Sequence, residues 1–196
     1  IDGKGKLVLI SGEAGIGKSR LVEEVLQYSR SENVLVLMGK CFFREGGDPY
    51  LPFVEAINDY VRQQKEQEKD VNIPAELGGM ISRDSGRANM PMGLIGISSD
   101  ADEVAEVKPT KVDVTLERER MFETVYKFFS DISKKQPLVF FLDDMHWADN
   151  ATLQLLYYLA RSIRESRVLI LGAYRSEEIE SSGESHPLTD TLQRMT

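Results

Sequence analysis

KLVLISGEAGIGKSRLVEEVL, residues 6–26, decides the fold. It opens with KLVLI (residues 6–10), an apolar run without polar alternation, as in a strand buried on both faces. Leu21, Val22, Val25 and Leu26 then recur at the spacing of one helix face. Between strand and helix, GEAGIGKS (residues 12–19) carries the pattern G-x-x-x-x-G-K-[ST]. Gly12, Gly15 and Gly17 let the backbone bend so that successive N–H groups converge on a phosphate. The helix N-terminus adds a partial positive charge at the same point. Lys18 is placed to reach the β- and γ-phosphates, and Ser19 to offer its hydroxyl to Mg²⁺. The expected cofactor-binding run is Gly12, Glu13, Ala14, Gly15, Ile16, Gly17, Lys18, Ser19 and Arg20, with Arg20 solvent-exposed on the helix.

Further along, VLVLM (34–38) predicts a second buried strand. Phe53, Val54, Ile57 and Val61 mark a helix that runs out into the charged stretch RQQKEQEKD, expected to be a solvated end. Residues 71–112 hold scattered Pro and Gly and weak periodicity, which predicts a long irregular insertion. Its Met-rich patch, MPMGLIGI, is expected to tuck this segment onto the core. Order returns at Thr115, a candidate N-cap, followed by Phe122, Val125, Phe129 and Ile132 at helical spacing. Gln136-Pro137 breaks that helix. LVFFL (138–142) is the third strand and VLILGAY (168–174) the fourth. Between them Asp149 or Asn150 caps a helix with Leu153, Leu156, Ala160 and Ile163 inward. HPLTDTLQRM (186–195) reads as a helix start. Strands alternating with helices predict an α/β fold, a parallel sheet covered on both faces. The whole chain, 1–196, reads as one domain interrupted by the 71–112 insertion. Ligands on such sheets bind at the C-terminal strand ends, where the loops 11–19, 143–149 and 174–176 meet.

The third strand ends in FFLDDMHWAD, residues 140–149. Two adjacent carboxylates at the end of a buried strand are costly to desolvate. A Mg²⁺-nucleotide explains them, because it needs a carboxylate on a neighbouring strand end, the Walker B position. Asp143 is expected to hold Mg²⁺, directly or through a water. Asp144 is expected to be the catalytic base or water-positioning residue. Asp is one methylene shorter than Glu, and a displacement of about 1 Å can cost roughly 10²-fold in rate, so hydrolysis is expected to be slow. Arg175 closes the fourth strand in GAYRSEE, where a guanidinium points at the γ-phosphate; Lys18, Asp144 and Arg175 are thus the candidate catalytic residues. His146 is expected to pack its loop, and Cys41 to be a small buried residue.

Composition bounds the rest. The 196 residues carry 24 Lys and Arg against 32 Asp and Glu, a net charge of −8, which argues against a nucleic-acid surface on this chain. One cysteine rules out an internal disulfide, and with two His it argues against structural zinc. A reducing cytoplasm is the simplest setting. No apolar run reaches the roughly 18 residues that span a bilayer. The chain opens on Ile1 rather than Met, which predicts a piece of something longer.

GEAGIGKSRL, GKCFFREGGDPYLPFVEAI, ERERMFETVYKFF, FFLDDMHWAD, GAYRSEE and HPL together resemble the STAND-type P-loop ATPases. More narrowly, they look like the AAA-related ATPase module of large bacterial and archaeal regulators, among them LuxR-type activators and cyclase-linked ATPases. The resemblance implies an ASCE-type P-loop sheet with strand order 2-3-4-1 and a fifth strand beyond this piece. It implies ATP/ADP and Mg²⁺ as cofactors. It also implies a switch between an ADP state and an oligomer-prone ATP state, coupled to further domains of the parent chain. The short G-R-E-type segment that helps hold adenine in such proteins is absent. A loader- or motor-type AAA+ ATPase and a nucleotide-binding assembly module with negligible hydrolysis are the alternatives.

Overall fold

The computed structural model describes residues 3–43, 49–67, 73–74, 77–78, 111–180 and 186–195. The elements in chain order are β1 (Lys6–Gly12), α1 (Lys18–Ser31), β2 (Leu35–Lys40), α2 (Leu51–Glu66), α3 (Lys111–Lys135), β3 (Leu138–Asp143), α4 (Asn150–Ser162), β4 (Val168–Arg175), α5 (Ser176–Glu180) and α6 (Pro187–Met195). The strands form one parallel sheet in the order β1-β4-β3-β2, the 2-3-4-1 arrangement expected. A chain that leaves β1 and β3 through a helix cannot pair with the next strand as a hairpin, and parallel pairing follows.

Strand residues alternate between two cores. Val36, Val139, Phe141, Leu171 and Ala173 pack against Val22 and Leu26 of α1. Leu35, Leu37, Leu138, Phe140, Leu142 and Ile170 face the larger core under α2, α3 and α4. β3 and β4, the central strands, are covered on both faces, which is why they read as continuous apolar runs rather than alternating ones. β1 was expected to be buried on both faces too, but it lies at the edge of the described sheet, none of its residues is fully buried and Val8 is 43% exposed. The ring of Phe140 sits 5.2 Å from Phe53 and 5.3 Å from Phe129, joining β3 to two helices. Truncating such a buried ring costs about 3–5 kcal/mol. At Gly39 an added Cβ would stand 2.1 Å from the Pro52 carbonyl oxygen, so the start of α2 lies directly on β2.

Helix α4 begins where expected, and Asp149 is its cap: Oδ1 accepts from the N–H groups of Ala151 (2.8 Å) and Thr152 (2.9 Å). Two expectations change. Leu21 was placed with the inward face of α1, yet it is 54% exposed. It lies about 100° round the helix from Val22, outside the narrow stripe that α1 sets on the sheet. Thr115 was expected to cap a helix, but α3 already begins at Lys111. No Pro or Gly falls between 111 and 115, so nothing in the backbone stops the helix there. Leu77, in the stretch read as irregular, is fully buried in the large core. The Met-rich patch lies outside the described residues.

Candidate functional site

The phosphate-loop sequence leaves the sheet at Gly12, which pairs in register with Arg175 at the end of β4. Gly15 (φ +78°) and Gly17 (φ +104°) take left-handed backbone that a side chain would strain, and Gly17 sits at the N-cap of α1. The loop is wrapped around its own lysine: Lys18 Nζ donates to the carbonyls of Gly12 and Glu13, both at 2.7 Å. The Ala14 N–H donates to the Glu177 carboxylate, at 2.9 Å to Oε1 and 3.2 Å to Oε2. One loop N–H is thus engaged by a carboxylate of the protein's own.

Across the cleft, β3 ends in the acid pair. Asp143 is half-exposed, and its Oδ1 accepts the Asp144 N–H at 2.9 Å. Asp144 itself adopts left-handed backbone (φ 50°, ψ 42°), uncommon for a residue other than Gly though more accessible to Asp and Asn than to most. That turn swings its carboxylate toward β2. There Lys40, in register with Asp143, places its Nζ 3.0 Å from Asp144 and 3.7 Å from Asp143. The hydrogen bond to Asp144, with the fields of both acids, raises the Lys40 pKa and keeps the ammonium charged.

Ala14, Lys18, Ser19, Asp143, Asp144 and Arg175 all line one cleft of about 720 Å³, and Lys40 closes its far side. Arg175 also pairs with Glu178 at 3.8 Å. The expected candidates are therefore brought together by three neighbouring strand ends. Glu13, Ile16 and Arg20 are exposed; Glu13 meets the site only through its carbonyl. Among the described residues no cluster of three or more His, Cys, Asp or Glu is gathered. Mg²⁺ does not require one, since it keeps several waters and takes one or two carboxylates plus substrate phosphates. The oxygens of Ser19 and Asp143 fit that mode, with the loop N–H groups holding the phosphates.

Lys40 and Glu177 were missed in the sequence. Lys40 is the last residue of β2 and Glu177 follows the end of β4, but which strand faces which loop depends on the sheet order. His146 is buried beneath the acids, its Nε2 4.0 Å from Asp144, and neither ring nitrogen has a hydrogen-bond partner among the described residues. Burial pushes its pKa down; the Asp144 charge opposes that shift, and Arg175 adds to it. Its ring packs at a tilt against Trp147, centroids 4.9 Å apart, and Trp147 meets the exposed Phe43 edge-on at 5.0 Å.

The sequence profile described as "AAA ATPase domain" matches residues 1–171. The chain belongs to the AAA ATPase domain family. Its α/β sheet is accordingly the P-loop NTPase fold. This AAA ATPase domain is also 28% identical over 188 residues to an uncharacterized protein of Rhizobium meliloti (strain 1021), covering 92% of the chain and 18% of that relative. A solved structure of Drosophila ORC bound to GC-rich DNA and Cdc6 aligns with 99% of the chain and 47% of its own, at 10% identity and a TM-score of 0.41. No helix among the described residues of this AAA ATPase domain is long and apolar enough to cross a membrane.

Proposed function

We propose that this AAA ATPase domain binds ATP with Mg²⁺, hydrolyses it slowly, and serves as a nucleotide-dependent switch within a larger regulator. The observation that carries the reading is the placement of Lys18, Ser19, Asp143, Asp144 and Arg175 around one cleft, with Asp144 held by Lys40. In this reading the loop amides and Lys18 hold the phosphates, and Ser19 and Asp143 hold the metal. Bound Mg²⁺ supplies charge neutralisation at the phosphates. Asp144 accepts the proton of the attacking water or orients it. Arg175 stabilises the charge that develops at the γ-phosphate.

Slow turnover is the expected rate for two reasons. The Asp144 side chain is short, and its carboxylate is engaged by the Lys40 ammonium. The likeness of FFLDDMHWAD and GAYRSEE to STAND-type ATPases supports a regulator, with further domains in the same chain, a nucleotide-dependent homo-oligomer and a cytoplasmic setting. The chain spans 18% of its R. meliloti relative, in keeping with one module of a longer protein.

Single-turnover hydrolysis of radiolabelled ATP by the full-length protein, with and without Asp144→Asn, tests the proposal. Slow hydrolysis that falls roughly 10²-fold or more in the variant is expected. Fast multiple turnover stimulated by DNA would replace the switch by a loader or motor. Hydrolysis absent from both proteins would replace it by an assembly module.

A further inference from the structure

The Glu177 contact with the phosphate loop links residues 163 apart in the chain and joins the first turn of α5 to the mouth of the cleft. A carboxylate is an unexpected tenant there. The loop amides are arranged to attract phosphate, and a fixed negative charge beside them repels it. Two residues earlier, Arg175 lines the same cleft with the opposite charge, leaning toward Glu178 at 3.8 Å in place of a phosphate. One short turn of chain, from Arg175 to Glu177, therefore presents a cation to the cleft and an anion to the loop.

These two contacts respond oppositely to an added phosphoryl group. More negative charge in the cleft draws Arg175 in and pushes the Glu177 carboxylate off Ala14. ATP carries more of that charge than ADP, so it works harder against the Glu177 contact. We propose that the Glu177–Ala14 hydrogen bond is a latch that sets ATP-versus-ADP discrimination at this site, closed with ADP or no nucleotide and opened by the γ-phosphate. Glu177 is thus a specificity-determining residue, and its release frees α5 to move. The inference rests on the nucleotide reading of the cleft given above.

A structural tether would behave differently. Glu177→Gln keeps an oxygen to accept the Ala14 N–H but removes the charge, so a tether survives it and an electrostatic latch does not. The test is calorimetric titration of the full-length protein with Mg·ADP and with Mg·AMP-PNP, a non-hydrolysable ATP analogue. Parent, Glu177→Gln, Glu177→Ala and Glu180→Gln are compared. Glu180 is exposed on the same helix and controls for the loss of one charge. Both Glu177 variants should gain affinity for AMP-PNP over ADP by roughly fivefold or more, with Glu180→Gln unchanged. An unchanged ratio in Glu177→Gln, or equal shifts for both nucleotides, would overturn the latch while leaving the nucleotide site intact. A parent protein that binds neither nucleotide would overturn the site reading and the latch together.

Discussion

Lys40 Nζ lies 3.0 Å from the carboxylate of Asp144, bridging the ends of two paired strands at the mouth of the nucleotide cleft. The same ammonium is 3.7 Å from Asp143. One ammonium therefore already partly neutralises both acids, in competition with a divalent cation at Asp143.

Lys40→Met removes that competitor. The pair is partly exposed, and contacts of this kind are worth about 0.2–1 kcal/mol. The Mg²⁺ concentration that supports half-maximal binding of a fluorescent ATP analogue should fall by roughly two- to fivefold. A rise in that midpoint would show instead that Lys40 itself holds the nucleotide.

His146 gives a pH signature. Burial holds its pKa below the ordinary 6.5, so the folded protein keeps the ring neutral where the unfolded chain takes up a proton. Stability is unaffected by this group above pH 6.5 and is lost progressively as the pH falls below that value toward the folded pKa. The melting temperature should drop more steeply between neutral and mildly acid pH in the parent than in His146→Phe. Parallel curves would mean that the imidazole is solvated in solution.

Gly39→Ala tests how α2 is seated. The new Cβ would meet a backbone carbonyl of Pro52 rather than a side chain that can swing away. The strand or the helix start must then shift, at about 1–3 kcal/mol or more of stability. Urea melts should show an earlier midpoint with an unchanged slope. An unaltered midpoint would place Pro52 farther from β2.

Cys41 should be chemically silent in the folded protein. It is 3% exposed, and burial, assisted by the nearby carboxylates, pushes its thiol pKa up to about 12. Maleimide labelling at pH 8 should be slow natively and fast in denaturant. Rapid native labelling would show the β2 end opening.

Much of this was legible in the sequence because local chemistry and fold agree there. Gly15 and Gly17 adopt the positive φ that only glycine accepts cheaply, and the strand before and helix after them carry their own periodicity. LVFFL was legible as a strand because its run is apolar without alternation, and the strand is covered on both faces. Leu21 was misplaced because periodicity shows which way a helix faces but not how wide its contact is. Thr115 was misplaced because a cap residue inside a helix looks the same in sequence as one at its start. Lys40 and Glu177 carry no local signal at all. Each acts on a loop distant in sequence, and only the β1-β4-β3-β2 order brings them to the site.

The most direct test of the central claim, that GEAGIGKS is a working phosphate loop, is a titration of the full-length protein and of Lys18→Ala with Mg·ADP and Mg·AMP-PNP. Lys18 Nζ donates to two loop carbonyls in this structure, which leaves its third N–H for a phosphate in the cleft it lines. Measurable affinity in the parent, with a loss of about 2 kcal/mol or more (roughly thirtyfold) in the variant, is the predicted result. Equal affinity in the two proteins, or none in the parent, would contradict it.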